Sequence, residues 1–113
     1  MDDYWKGEDD LDRALTGVPE REARIVLVHE PDFADTIGSC RVDLQISGHS
    51  HGGQVRLPLI GALHLPPLGR KYPIGLQKAG RTQVYTNRGL GTTGPPVRFN
   101  CPPEVTLLRV LGA

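Results

Sequence analysis

The chain has 113 residues, 38% of them hydrophobic, with 14 glycines; this is the composition of a folding chain of one modest domain or part of a larger one, and it excludes a disordered polymer. Thirteen basic residues balance thirteen acidic ones. That balance removes the global positive field that draws proteins to nucleic acid or anionic membranes, and leaves a small or locally charged ligand as the expected partner.

The charges are unevenly placed. Asp2, Asp3, Glu8, Asp9, Asp10 and Asp12 crowd the front, whereas Arg56, Arg70, Lys71, Lys78, Arg81, Arg88, Arg98 and Arg109 come later. Any anion-binding surface is therefore expected in the second half. Cys40 and Cys101 fit no CxxC spacing and are expected to be structural thiols. No apolar run approaches the roughly 20 residues of a membrane span, and the acidic front lacks the order of a signal peptide. The chain as given is expected to be soluble and cytoplasmic, with a membrane-associated or exported parent left open.

Met1 to Gly7 is an aromatic and acidic lead-in with too little pattern to assign. From Glu8 to Leu15, the spacing of Leu11, Ala14 and Leu15 predicts a short amphipathic helix stopped by Gly17 and Pro19. The run Ala23 to His29 is continuously apolar or β-branched and reads as a central strand covered on both faces. A second short helix is expected from Pro31 to Ile37, with Pro in the first turn, the Phe33/Ile37 pair and Gly38 as stop. Val42 to Ser47 is the next strand, completing a βαβ outline in which each strand runs out into a histidine.

After Gly52 the pattern becomes β-rich. Gln54 to Leu57 reads as a strand, Pro58 to Arg70 as a long functional loop, and Ile74–Ala79 with Thr82–Asn87 as a hairpin around Gly80-Arg81. Gly89 to Pro96 is another irregular loop, and Pro103 to Leu111 is expected to be a final strand.

Chemistry concentrates in Gly48-His49-Ser50-His51-Gly52-Gly53-Gln54. Neutral imidazole is a common transition-metal ligand, and the glycines allow positive φ angles and close backbone approach. In an open α/β sheet, ligands bind beyond the carboxyl ends of the strands, which would bring His29 and His49 into one crevice. His64, inside the long loop, is expected to be partly packed and not a ligand.

The run Leu44 to Gln54 resembles the last block of the calcineurin-like metallophosphoesterases, a G-H-x-H element after a hydrophobic strand. Val28-His29-Glu30-Pro31-Asp32 resembles the block before it. Lys71-Tyr72-Pro73-Ile74-Gly75, Thr86-Asn87-Arg88-Gly89-Leu90-Gly91 and Pro102 to Leu108 look like the tail of a bacterial subgroup. The resemblance implies a four-layer α/β/β/α sandwich with two divalent metal ions, manganese, iron or zinc, at its strand ends. His29 and His49 would ligate one metal and His51 the other. A metal-bound hydroxide would attack the phosphorus of a phosphomonoester or phosphodiester. Arg88 and Lys71 are candidates for phosphate contact, on charge and loop position alone.

The family's Asp-x-His, Gly-Asp-x-x-Asp and Gly-Asn-His blocks, which supply the bridging carboxylate and the catalytic histidine, are absent from this sequence. Residues 1–113 are therefore expected to be the C-terminal portion of such a domain, inactive alone, with an apolar sheet face open to a complementing N-terminal half or to self-association. The alternative reading is a non-enzymatic β-rich module that binds a metal or a partner through the same loops.

Overall fold

A computed structural model describes residues 10–38 and 40–111; the lead-in and the first residues of the expected N-terminal helix lie outside them. Helix α1, Leu11–Leu15, begins at Asp10, whose carboxylate accepts from the Arg13 amide at 2.8 Å. This satisfies one of the amides that a helix start leaves without a partner.

Four strands form the main sheet: β1 (Ile25–Leu27), β2 (Leu44–Ser47), β5 (Gly75–Ala79) and β6 (Thr82–Thr86), in the order β1-β2-β6-β5. The first three run parallel and β5 is antiparallel to β6. The β5–β6 hairpin turns at Gly80-Arg81, as its sequence predicts, with Ala79 opposite Thr82 and Gly80 at φ 58°. Two short strands, β3 (Arg56–Leu57) and β4 (Gly61–Ala62), pair as a separate antiparallel ribbon. The stretch expected to be loop from Pro58 to Arg70 thus opens with a tight hairpin, closed by the Ile60 amide on Leu57 O at 3.3 Å.

One face of the sheet is covered. Val26, Val28 and Val84 meet Phe33, Ala34 and Ile37 of the β1–β2 crossover, with Val42 and Tyr72 completing the core and Leu11 and Leu15 packing on its margin. Burying a side chain such as Phe33 is worth roughly 1.5–3 kcal/mol. The crossover is a 3-10 helix, Pro31–Thr36, where the sequence predicts a short helix to Ile37. Gln45, buried in the middle of β2, donates to Glu30 O (3.2 Å), Pro31 O (3.1 Å) and Ser47 Oγ (2.9 Å), which fixes the turn following His29 to the strand beside it.

The other face is open at its two edges, while Tyr85 in its middle is buried with its hydroxyl against Glu104 and Thr106 of the tail. The register sets Leu27, Ile46, Tyr85 and Leu76 in one row across all four strands, and Leu27 and Leu76 are 66% and 62% exposed. This corrects the expectation of a strand covered on both faces: β1 is an edge strand, and its continuous apolarity serves one covered and one uncovered face. The described residues form a sheet with a helical layer on one side, a mixed α/β arrangement but not the full four-layer sandwich. The radius of gyration, 14.8 Å, exceeds the roughly 13 Å of a compact ball of this length, and extents of 44 × 34 × 22 Å show why.

The expected C-terminal strand does not form. Residues 103–111 have no ladder partner, and Val105, Leu107 and Val110 are exposed. The tail is held instead at its start, where the Tyr85 hydroxyl bonds Glu104 and Thr106. Among the described residues no helix is long and apolar enough to cross a membrane.

Candidate metal and phosphate site

His29 and His49 each stand two residues beyond the C-terminal end of adjacent parallel strands, β1 and β2. The strands keep pairing past their ends: Val28 N donates to Ile46 O and Gly48 N to His29 O, both at 3.1 Å. This places the two imidazoles with ring centroids 5.0 Å apart and planes at 68°.

The loop following β2 is strained where function would need it rigid. His49 (φ 62°), His51 (φ 50°) and Gln54 (φ 53°) all take the left-handed region that L residues avoid. The glycines share this geometry but do not carry it alone, since Gly52 and Gly53 have positive φ and Gly48 does not. Ser50 braces the loop from inside, accepting from Gly52 N (3.0 Å) and donating to Pro73 O (2.6 Å).

Backbone carbonyls set the histidine tautomers. A carbonyl can only accept, so His49 Nε2 donates to Pro67 O (2.9 Å) and His51 Nδ1 donates to Gly91 O (3.3 Å). In the neutral ring the lone pair is then on Nδ1 of His49 and Nε2 of His51. Asp32 anchors the segment bearing Pro67: its carboxylate accepts from the amides of Arg70 (3.0 Å), Lys71 (3.0 Å) and Tyr72 (3.1 Å), while its own amide donates to Leu68 O at 3.0 Å.

The cations of the second half are largely engaged. Arg98 donates to Arg88 O (2.8 Å), Gly91 O (2.6 Å), His51 O (3.2 Å) and Cys101 O (3.1 Å), so it pins the loop around residues 88–91 to the histidine turn. Lys71 pairs with Asp35 at 2.8 Å on the surface. Arg88 gives its Nε to Glu104 at 2.7 Å, and its side chain packs behind Gly52. Burial acts to raise the Glu104 carboxyl pKa, but the Tyr85 hydroxyl, the Arg88 guanidinium and Thr106 outweigh it and hold the group down at about 2.

The expected ligands divide into a pair and a single. His29 and His49 lie together, whereas His51 turns toward Gly91 and lines a separate cavity. His64, expected to be partly packed, is exposed and borders that same cavity. Both cysteines are free thiols, with Cys101 buried beneath Gly52. Among the described residues no three His, Cys, Asp or Glu side chains converge to hold a metal ion. The donor chemistry suits one side of a metal site, two adjacent imidazoles of which His49 has its lone pair preset, and the carboxylates that would complete it are not supplied by the described residues.

Ser50, Gln54, Asp32 and Arg98 escaped the sequence reading as positioning residues. The first three lie within the two histidine blocks, so proximity was the available signal; Arg98 gave none.

The mixed sheet sets its paired imidazoles beyond the carboxyl ends of two parallel strands, the place where open α/β proteins bind their ligands. No family model and no solved structure matches the chain. It is 44% identical to the metallophosphoesterase YkuE of Bacillus subtilis, over 97% of this chain and 38% of that protein. It is 41% identical to phosphodiesterase YaeI of Escherichia coli, over 96% of this chain and 39% of that protein. UDP-2,3-diacylglucosamine pyrophosphatase LpxG of Chlamydia trachomatis is 31% identical over 98% of this chain and 36% of its own length. The chain belongs to the calcineurin-like metallophosphoesterase family and spans about two fifths of the length of the curated relatives it matches.

Proposed function

We propose that this chain is the C-terminal portion of a metallophosphoesterase domain and carries the histidine side of a site that hydrolyses phosphoesters. The observation that carries this reading is the His29/His49 pair, 5.0 Å apart at the ends of adjacent parallel strands, followed two residues later by His51. In the proposal His29 and His49 hold one divalent ion and His51 the second. When bound, the two ions supply Lewis acidity that acidifies water and neutralises phosphoryl oxygens.

The residues of this chain orient and hold. Pro67 O and Gly91 O keep the His49 and His51 rings in one tautomer, which removes the cost of selecting it on binding. Asp32 and Arg98 keep those two carbonyls in place. Arg88, once its Nε is spent on Glu104, has its Nη groups left for a phosphoryl oxygen, while Lys71 must leave Asp35 to reach one. The relatives' names cover a phosphodiester and a pyrophosphate, so the leaving group is set by what surrounds the site.

The chain alone lacks the carboxylate that would bridge two ions, and its inactivity in isolation is part of the proposal. The test is hydrolysis of a bis-ester model phosphate with manganese, comparing this chain with one extended at its N-terminus by a relative's Asp-x-His, Gly-Asp-x-x-Asp and Gly-Asn-His blocks. Turnover is expected only in the extended chain. His49→Ala and His51→Ala are expected to lower it by more than about 100-fold, since changes to residues behind a metal ligand already cost about 10–100-fold. Unchanged turnover in both variants would sink the assignment.

A further inference from the structure

Beside His51 lies a cavity of about 360 Å³, within the size range of small-molecule sites. Val55, Leu63 and Pro66, which lie to either side of the β3–β4 ribbon in sequence, form one wall, and Thr93, Pro95 and Val97 form the other. His51 and Ser50 line it as well. The two walls come from segments some 40 residues apart in sequence, joined by the backbone bridge of Val55 with Phe99 and by the Gln54 side chain: Thr93 N donates to Gln54 Oε1, and Gln54 Nε2 donates to Thr93 O (3.1 Å) and Pro95 O (3.4 Å). Gln54 does this from a left-handed backbone conformation, φ 53°, so local strain is maintained where the walls are held.

We infer that this cavity receives an apolar group carried by the phosphoester, a short alkyl or aryl substituent, while the phosphoryl end lies at the histidines. The inference rests on the phosphoester reading above and adds the chemical class of the substituent. Continuity argues for it: one residue, His51, belongs both to the proposed phosphoryl site and to the cavity lining. Composition argues with it, because Leu63 and Val97 are more than half exposed and offer apolar surface that the chain itself does not cover.

Calorimetric titration of the manganese-supplemented chain with n-alkyl phosphates of two, four, six and eight carbons tests this, with inorganic phosphate and the matching 1-alkanols in parallel. Affinity is expected to rise roughly three- to fourfold per methylene until the cavity is full. Leu63→Asp and Val97→Asp are expected to flatten that rise and leave inorganic phosphate binding and the unfolding midpoint unchanged. Leu76→Asp, on the open sheet face, is expected to keep the rise. A flat series in the unaltered chain, a rise indifferent to both wall variants, or one equally lost in Leu76→Asp overturns the subsite. Alkanols that bind as tightly as phosphates of equal length would instead overturn the phosphoester reading and leave the apolar subsite standing.

Discussion

Gly52 is constrained twice. Its φ of 62° lies in the region L side chains avoid, and an added Cβ would stand 2.7 Å from Cys101 Sγ and 2.8 Å from Arg88 Cγ. Neither neighbour is free to retreat, since Cys101 is buried and Arg88 is tied to Glu104. Gly52→Ala is expected to destabilise the fold by about 2–4 kcal/mol, combining left-handed strain with overpacking. Gly91→Ala, with nothing within 4 Å and no positive φ, is expected to be near neutral; urea unfolding midpoints of the two variants check the contrast. At this scale the sequence announced where two of the candidate ligands stand. His29 and His49 follow apolar runs, and their placement after strand ends could be read directly. The positive φ angles of His49, His51 and Gln54 could not, because residue type argues against them and the bonds around that turn, to Pro67, Pro73, Gly91, Thr93 and Arg98, come from distant parts of the chain.

Elements were legible where their pattern was satisfied within the chain. The β5–β6 hairpin and the two histidine-bearing strands follow from local periodicity and turn residues, and each finds its partner among described residues. The tail was not legible, because the alternation of Val105 and Leu107 states a strand's pattern but cannot supply a neighbour to pair with. What holds the tail centres on the Glu104 carboxylate. Glu104 receives the Tyr85 hydroxyl and the Arg88 guanidinium and so keeps its pKa at about 2, below the 4.5 it would have in an unfolded chain. A depressed folded pKa contributes stability that is complete above about pH 4.5 and lost as pH falls to about 2. Urea midpoints of the unaltered chain and Glu104→Gln should therefore differ at pH 6 and converge as pH falls from 4.5 toward 2. A difference that stays constant over that window would show that the charge on Glu104 is not what ties the tail to the loop bearing Arg88.

For the whole molecule, the decisive feature is the sheet with one face packed and the other exposed at both edges. Continuous apolarity in β1 correctly announced two apolar faces, but periodicity carries no information about whether a covering layer lies within the same stretch of chain. The row Leu27, Ile46, Tyr85 and Leu76 crosses all four strands, and its two ends are mostly exposed. Apolar surface arranged in one plane on a sheet is a site of association, and in isolation the available complement is a second copy of the same face. Sedimentation velocity is expected to show concentration-dependent self-association of this chain. The double variant Leu27→Lys with Leu76→Lys puts a charge at each end of the row without entering the packed core, so it is expected to shift the population toward monomer with an unchanged circular dichroism spectrum. Association unaffected by the double variant would place the contact elsewhere, with the exposed apolar tail as the next surface to alter.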